Sequence, residues 1–181
     1  MFLICVNILK MKKILLLLIS VLFVSQLKAQ TGDTPSLQYV FSIYAKCPSN
    51  YVVGQTQHGV RNIIPIEGGY FKGPGLKGVE MNGSVIPGGA DYQMVDEKKG
   101  RTELEAIYSI KTDDGVNIHV RNKGILYSGK DESGNQTFYF RTAPVFEAPS
   151  DSKYDWLNNA VFVCVPAFDP EYIVLNMYIV Q

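Results

Sequence analysis

Short apolar and aromatic runs, interrupted by glycine and proline, follow one another along most of the chain. No stretch after residue 30 sustains the 3.6-residue period of a helix, although residues 153–158 suit one helical turn capped by Asp151 or Ser152. The predicted strands are residues 37–45, 61–66, 69–72, 90–95, 102–111, 116–122, 136–146, 160–165 and 172–180, with short extended pieces between 73 and 89. Many short strands at close spacing predict an all-β fold, either an antiparallel barrel or a sandwich.

Residues 102–111 and 116–122 form the clearest hairpin. Between them, Asp113-Asp114-Gly115 suits a type I turn that ends in a left-handed residue, a conformation glycine adopts at little cost. The three-residue loop then sets the cross-strand pairs: Ile110 with Ile118, Tyr108 with Val120, and Ala106 with Asn122. The opposite face carries Glu105, Ile107, Ser109, His119 and Arg121. Because apolar residues meet apolar residues, this register is self-consistent.

The first 29 residues have the three-part layout of a secretory signal. Lys10, Lys12 and Lys13 precede an apolar run over residues 14–24, and Ala29 ends a stretch that a signal peptidase could cut. These lysines separate residues 14–24 from the apolar residues before Lys10, so the uninterrupted apolar run is too short for a membrane span. We expect residues 1–29 to be a signal peptide, 30–36 a disordered lead-in, and 37–181 the domain of an exported protein, periplasmic or secreted. No stable membrane anchor is expected after cleavage, and the start codon is either Met1 or Met11.

Charge and cysteine content narrow the class further. Four of the 17 Lys+Arg and none of the 17 Asp+Glu lie in residues 1–29, which leaves 13 basic and 17 acidic residues and a net charge of −4. That balance argues against a nucleic-acid partner, which requires a basic surface. After cleavage only Cys47 and Cys164 remain. They could pair in an oxidising compartment, but the apolar run around Cys164 favours a buried free thiol.

Known sequence motifs for catalysis and cofactor binding give little support for such a site in this chain. Residues 73–78 match the three-glycine dinucleotide pattern, yet a turn-rich stretch follows instead of a helix, so a tight β-corner is favoured. His58 and His119 have no closely spaced partner ligands, and no nucleophile elbow is present. The sequence therefore predicts neither a metal site nor a cofactor.

Polar side chains embedded in the predicted strands are more informative. They are Arg61, Asp91, Glu105, Arg121, Asn122, Arg141 and Thr142. Charged groups rarely stay among apolar residues unless they are paired or functional. One interpretation is a polar cluster in a barrel lumen or mouth that binds an anionic or hydroxylated small molecule. The other is a set of salt bridges across the sheet, because Arg121 is diagonal to Glu105 in the hairpin register.

Seven motifs occur in an order that resembles a known family. They are residues 58–69 (HGVRNIIPIEGG), 73–78 (GPGLKG), 87–91 (PGGAD), 112–115 (TDDG), 120–124 (VRNKG), 139–144 (YFRTAP) and 154–158 (YDWLN). Together they resemble the bacterial and fungal family called domain of unknown function 3237, or uncharacterised protein family 0311, over about residues 37–181. The resemblance implies a single antiparallel, lipocalin-like β-barrel and no established activity. Family members usually lack a signal peptide, and they often have Trp where this chain has Tyr92, an aromatic residue that could stack on a ligand.

The leading hypothesis is a small-molecule-binding barrel with lyase or isomerase chemistry. In it Arg61, Arg121 and Arg141, with Tyr92 and Thr142, bind the ligand, and Asp91 or Glu105 acts as an acid or base. The face that carries Arg121 is expected to line the lumen. The alternatives are a non-catalytic envelope or interaction module, in which these residues only join strands, and a hydrolase. The sequence leaves the identity of the ligand, the existence of an activity and the oligomeric state open.

Overall fold

The computed structural model describes residues 34–181, in which ten strands and two short 3₁₀ turns account for the regular structure. The strands are β1 (Leu37–Ala45), β2 (Tyr51–Thr56), β3 (Gly59–Ile66), β4 (Gly69–Leu76), β5 (Val79–Asp96), β6 (Arg101–Thr112), β7 (Asn117–Lys130), β8 (Gln136–Glu147), β9 (Phe162–Phe168) and β10 (Ile173–Val180), and the 3₁₀ turns are Glu97–Lys99 and Asp155–Asn159. The predicted signal peptide lies outside the described residues.

The strands close into an antiparallel β-barrel. Each strand from β5 to β9 pairs with the next one along the chain, and β10 pairs with β1. The barrel closes because β1 also pairs with β4, and β4 pairs with β5. β2 and β3 extend this wall, because β3 pairs with the second half of the long strand β5 and β2 pairs with β3. The ten strands therefore occupy eight positions around the barrel. The all-β prediction is confirmed, and of the two architectures left open the barrel is the one found.

The hairpin predicted at residues 102–122 has the predicted register. Ile110 lies opposite Ile118, Tyr108 opposite Val120, and Ala106 opposite Asn122. Gly115 adopts a φ of +93°, and its N–H donates to the Thr112 carbonyl at 2.8 Å. The turn chemistry read from the sequence thus fixes which residues face each other across β6 and β7.

The two faces of this hairpin differ sharply in burial. Ile110, Ile118 and Val120 are 0% exposed and form part of the core, and Asn122 lies on the same inward face. Arg121 lies on the outer face, where its side chain is 54% exposed. This corrects the expectation that the Arg121 face lines the lumen: the strongly apolar face takes the interior because its burial stabilises the barrel.

The glycine-rich segment at residues 73–78 forms the β4–β5 hairpin and its approach. Lys77 and Gly78 make the turn with φ values of 51° and 80°, and Leu76 pairs with Val79. A Cβ on Gly75 would lie 1.7 Å from the Val79 carbonyl oxygen, so only glycine fits there. The β-corner interpretation is confirmed, and strand β5 stands where a dinucleotide site would need a helix.

One end of the barrel is closed by the 3₁₀ turn Asp155–Asn159. Leu157 is 1% exposed, and Phe162 packs against Phe146 and Trp156 with ring centroids 5.0 and 5.9 Å apart. The N-cap of this turn is Tyr154, which makes no side-chain capping hydrogen bond, so neither Asp151 nor Ser152 is the cap; Ser152 Oγ instead accepts the Tyr154 N–H at 3.2 Å just before the turn begins. We call this region the closed end, and the end where β8 begins and β9 finishes the open end. Within residues 34–181 no helix has the length and apolar character needed to span a membrane.

Candidate functional site in the barrel lumen

The barrel encloses a cavity of about 130 Å³ toward the open end. Its lining is mainly apolar, with a small polar set on β5 to β8. The lining residues are Ala45, Cys47, Ile64, Ile66, Asp91, Gln93, Leu104, Ala106, Tyr108, Asn122, Leu126, Phe140, Thr142, Phe168, Ile173 and Leu175. A mostly apolar pocket with few polar groups is the usual composition of a small-molecule site.

Small residues on the inner face leave this space unfilled. Ala45 and Ala106 line the cavity, and Gly124 lies between Leu104 and Thr142 across the sheet. Gly124 does not line the cavity, and a Cβ there would lie 2.3 Å from both the Arg141 carbonyl oxygen and Thr142 Cγ2, so glycine allows the close approach of β8 to β7. At the closed end phenylalanine and isoleucine side chains fill the interior instead. The cavity is therefore a direct consequence of side-chain size along the strands.

Asp91 brings a carboxyl group into this apolar surrounding. Its Oδ2 accepts a hydrogen bond from Gln93 Nε2 at 2.8 Å, and its Oδ1 accepts the Glu105 backbone N–H at 3.1 Å. Gln93 in turn accepts from Asn62 Nδ2 at 2.9 Å, and Asn62 accepts from Asn50 at 2.7 Å. Burial raises the pKa of Asp91, and the two hydrogen bonds only partly offset that rise. The result is an oriented carboxyl group whose proton is held more tightly than in water.

Three other polar side chains face the cavity with unused hydrogen-bonding capacity. The Tyr108 hydroxyl, Asn122 Oδ1 and Thr142 Oγ1 are buried without a geometrically formed hydrogen bond among the described residues, and the polar neighbour of Asn122 and Thr142 is the Cys164 thiol, a weak hydrogen-bonding group. Such a group costs about 1–3 kcal/mol when it is left unpaired. Burial also raises the pKa of Tyr108 well above 10, so its hydroxyl keeps its proton. Two hydroxyls and one amide oxygen are thus available to a molecule inside the barrel.

Cys47 and Cys164, the two cysteines within residues 34–181, are free thiols. Cys47 lines the cavity, and burial raises its pKa to about 11. Cys164 is 0% exposed, and burial raises its pKa to about 12. The nucleophilic form of cysteine is the thiolate, which these high values disfavour. Neither thiol is therefore set up as a nucleophile.

Only two of the seven predicted site residues line the cavity. Asp91 and Thr142 do so, and both were chosen because a polar side chain interrupts an apolar run. The remaining five lie outside the lumen: Arg61, Tyr92, Glu105, Arg121 and Arg141. The structure thus separates the predicted ligand-binding arginines from Asp91.

Glu105 and Arg121 form an ion pair on the outer face. Arg121 Nε donates to Glu105 Oε1 at 2.6 Å, and Lys123 Nζ lies 3.2 Å from the same oxygen. These partners lower the pKa of Glu105 against the effect of its burial. This geometry agrees with the cross-strand salt bridge considered from the sequence. An ionised, paired carboxylate outside the lumen is a poor proton acceptor for a lumen ligand.

The other arginines also have partners of their own. Arg61 Nη1 donates to the Tyr92 carbonyl at 3.3 Å, and the Tyr92 side chain is 41% exposed. Arg141 Nη1 donates to the Phe140 carbonyl at 2.6 Å, and its guanidinium lies 5.6 Å from the Tyr139 ring centroid. The three predicted arginines therefore do not converge on one ligand.

Three polar lining residues were not among the predicted site residues: Gln93, Tyr108 and Asn122. A signal for them was present in the sequence. Asn122 shares the apolar face of the hairpin with Tyr108, and Gln93 is two residues from Asp91 on the same strand face. Within residues 34–181 no cluster of three or more His, Cys, Asp or Glu side chains could hold a metal ion.

Comparisons with known proteins agree with this fold. A family model described as "Protein of unknown function (DUF3237)" matches residues 35–180. A UPF0311 protein from Clostridium acetobutylicum is 38% identical over 149 residues, which cover 77% of this chain and 90% of that protein. A crystal structure of a beta-barrel like protein from Acinetobacter baumannii has a TM-score of 0.70 at 27% identity, covering 83% of this chain and 99% of that one. A crystal structure of an enzyme from Penicillium herquei has a TM-score of 0.62 at 25% identity, covering 81% and 95%.

Proposed function

The chain belongs to the DUF3237 family, and for this member we propose that the barrel lumen binds a small uncharged molecule carrying a hydroxyl or carbonyl group. The observation that carries the proposal is the set of unpartnered polar atoms on Tyr108, Asn122 and Thr142, which face the same cavity as Asp91. A ligand that completes these hydrogen bonds removes their desolvation cost, which makes binding favourable.

The charge of the lining selects the ligand class. Asp91 is the one carboxyl group on the cavity, and no Lys, Arg or His is among the lining residues. An anion would enter without a counter-ion and would face Asp91. Of the two ligand classes that the sequence suggested, the hydroxylated one is therefore favoured over the anionic one.

We further propose that the lumen catalyses proton transfer of the isomerase or lyase type, with Asp91 as the general base. Burial raises the pKa of Asp91 toward the working pH, which suits reversible proton transfer. In the step envisaged, Asp91 takes a proton from the carbon next to a carbonyl group. The Tyr108 and Thr142 hydroxyls donate to the enolate oxygen that forms, and the proton is then returned. The related fold of an enzyme from Penicillium herquei supports an enzymatic role.

Binding can be tested by calorimetric titration with four ring compounds of similar size. We expect phenol, cyclohexanol and cyclohexanone to bind more tightly than benzoate. Ala106→Phe should remove this binding because the larger side chain enters the cavity, whereas Val145→Ser, at a position on β8 that is 62% exposed, should leave it unchanged. Tighter binding of benzoate, or binding that survives in Ala106→Phe, would contradict the proposal.

Catalysis can be tested separately by NMR, from the exchange of the α-protons of cyclohexanone in D₂O. The wild-type protein should accelerate this exchange, and Asp91→Asn should reduce the acceleration at least about tenfold. Glu105→Gln is the matched control, since it makes the same acid-to-amide change on the outer face next to the Asp91 hydrogen bond. Equal loss of activity in both variants would count against Asp91 as the base.

Export stays a prediction from the sequence, and we propose it as the setting in which the lumen works. Mass spectrometry of the protein from its native host should find an N-terminus near Gln30 or Thr31. A chain that still begins at Met1 or Met11 would refute it.

A further inference from the structure

Three phenylalanine rings form a continuous apolar lip at the open end of the barrel. Phe138 and Phe140 lie on β8, and Phe168 ends β9. Their ring centroids are 6.5 Å apart for Phe138 and Phe140, 6.3 Å for Phe138 and Phe168, and 6.0 Å for Phe140 and Phe168. We call these three residues the phenylalanine lip.

Strand alternation explains why the lip continues the lumen. Phe138, Phe140 and Thr142 are two residues apart on β8, so their side chains share the inward face. On β9, Phe168 is four residues from the buried Cys164, an even spacing that places it on the inward face as well. Phe140 and Phe168 line the cavity itself. The inner surface therefore runs outward from the polar atoms across two lining rings to Phe138.

The lip changes from buried to exposed along this line. Phe140 is 6% exposed, whereas Phe138 and Phe168 are 61% and 63% exposed. Clustered aromatic side chains left in water at the rim of a pocket commonly mark a surface that another apolar group covers. The continuity with the lumen points to the ligand itself as that group.

The size of the cavity leads to the same conclusion. A dry cavity of about 150 Å³ in an engineered protein holds one benzene molecule, and the present cavity is about 130 Å³. A molecule larger than one ring must therefore extend through the mouth, past the lip. Resting on the proposed function, we propose that the ligand is amphipathic: a hydroxyl- or carbonyl-bearing head lies in the lumen, and an apolar tail lies across Phe138 and Phe168.

A series of 4-alkylphenols tests this with the full chain. Calorimetric Kd values for phenol, 4-ethylphenol and 4-butylphenol should fall about two- to fourfold for each added methylene, as expected for partial to full burial of a CH₂ group. Phe138→Ser should flatten this dependence on chain length while leaving the Kd of phenol within about twofold, because Phe138 does not line the cavity. Val145→Ser, an equally exposed apolar residue on the outer face of the same strand, should keep the wild-type dependence.

The outcomes separate the two proposals. If phenol does not bind, the proposed function fails. If phenol binds and its affinity does not increase with chain length, or if Phe138→Ser keeps the increase, the tail assignment fails and the proposed function stands. If the Kd does not depend on the alkyl chain length, two other molecules could cover the lip, and binding of either would show that the tail assignment is wrong. The first is a phosphatidylcholine vesicle, whose binding is detected by co-sedimentation. The second is another copy of the chain, whose binding is detected as a dimer by analytical ultracentrifugation. In either case the interaction should be lost in Phe138→Ser.

Discussion

The two ends of the barrel treat buried polar groups differently, and two tyrosines make the contrast clear. Tyr154 at the closed end and Tyr108 in the lumen are both 3% exposed. The Tyr154 hydroxyl donates to Asp114 Oδ1 at 2.8 Å, whereas the Tyr108 hydroxyl has no partner within residues 34–181. The closed end has one such unpartnered atom, Trp156 Nε1, and the lumen has three. The buried polar groups at the closed end are thus nearly all hydrogen-bonded, whereas those in the lumen remain free to form hydrogen bonds with a ligand.

The largest difference between the ends should appear when a phenylalanine is truncated. Phe162→Ala removes a ring that is 2% exposed and packed between Phe146 and Trp156, so we expect a loss of about 3–5 kcal/mol in the free energy of unfolding. Phe168→Ala, at the other end of β9, removes a ring that is 63% exposed and should cost less than about 1 kcal/mol. Urea unfolding measures both, and equal losses would show that the two ends are packed alike.

The next contrast lies in the pH dependence of stability. Burial raises the pKa of Asp91 in the folded protein above its ordinary value of 3.8, so folding with an ionised Asp91 is penalised. That penalty is absent below pH 3.8 and grows as the pH rises toward the raised pKa. At the closed end, Lys153 at 2.8 Å holds the pKa of Asp114 well below 3.8. Its stabilisation is complete above pH 3.8 and is lost as the pH falls toward the lowered value.

Asn substitutions at these two positions should therefore act with opposite signs. Relative to the wild type, Asp91→Asn should become more stabilising as the pH is raised from 4 to about 7. Asp114→Asn should be destabilising at pH 7, and its effect should shrink below pH 3.8. Urea unfolding across this pH range is the measurement. The same sign for both variants at pH 7 would refute the contrast between the two carboxyl groups.

A smaller effect is expected when the two tyrosine hydroxyls are removed. Tyr154→Phe breaks the hydrogen bond to Asp114 and should lower the free energy of unfolding by about 1 kcal/mol. Tyr108→Phe removes an unpartnered hydroxyl and should raise it by about 1 kcal/mol while weakening the binding of phenol. Unfolding and titration are measured on the same samples. A clear loss of stability in Tyr108→Phe would mean that its hydroxyl is already satisfied.

Most of the strands and the main hairpin could be predicted from local sequence, because alternation and turn chemistry act over a few residues, but β2 (Tyr51–Thr56) was not among the predicted strands. The register from Ile110 to Asn122 followed from the single turn at Gly115. Closure of the barrel could not be derived this way, since the pairing of β10 with β1 joins residues at opposite ends of the domain. The family resemblance, and not the pattern, distinguished a barrel from a sandwich.

The site was harder to predict because a polar residue within a strand can point to either side. Asp91 and Glu105 both interrupt apolar runs, yet one lines the cavity and the other pairs with Arg121 outside it. The hairpin register separated Asn122 from Arg121 but did not say which face was interior. The three fully buried aliphatic residues on the Asn122 face decided this, through the free energy of burying them.

The smallest effect should come from Arg121, although the initial hypothesis gave it a central role. Its side chain is 54% exposed, and Glu105 keeps Lys123 at 3.2 Å when Arg121 is replaced. Arg121→Ala should therefore change the free energy of unfolding by less than about 1 kcal/mol, as is usual for exposed ion pairs. The Kd of phenol should stay within about twofold, while Asn122→Ala, at the adjacent inward position, should weaken it. The two substituted residues are adjacent on β7, so Arg121→Ala changes the outer face of the barrel and Asn122→Ala changes the inner face. If Arg121→Ala weakened phenol binding tenfold or more and Asn122→Ala did not, the ligand would lie on the outer face and the lumen assignment would be wrong.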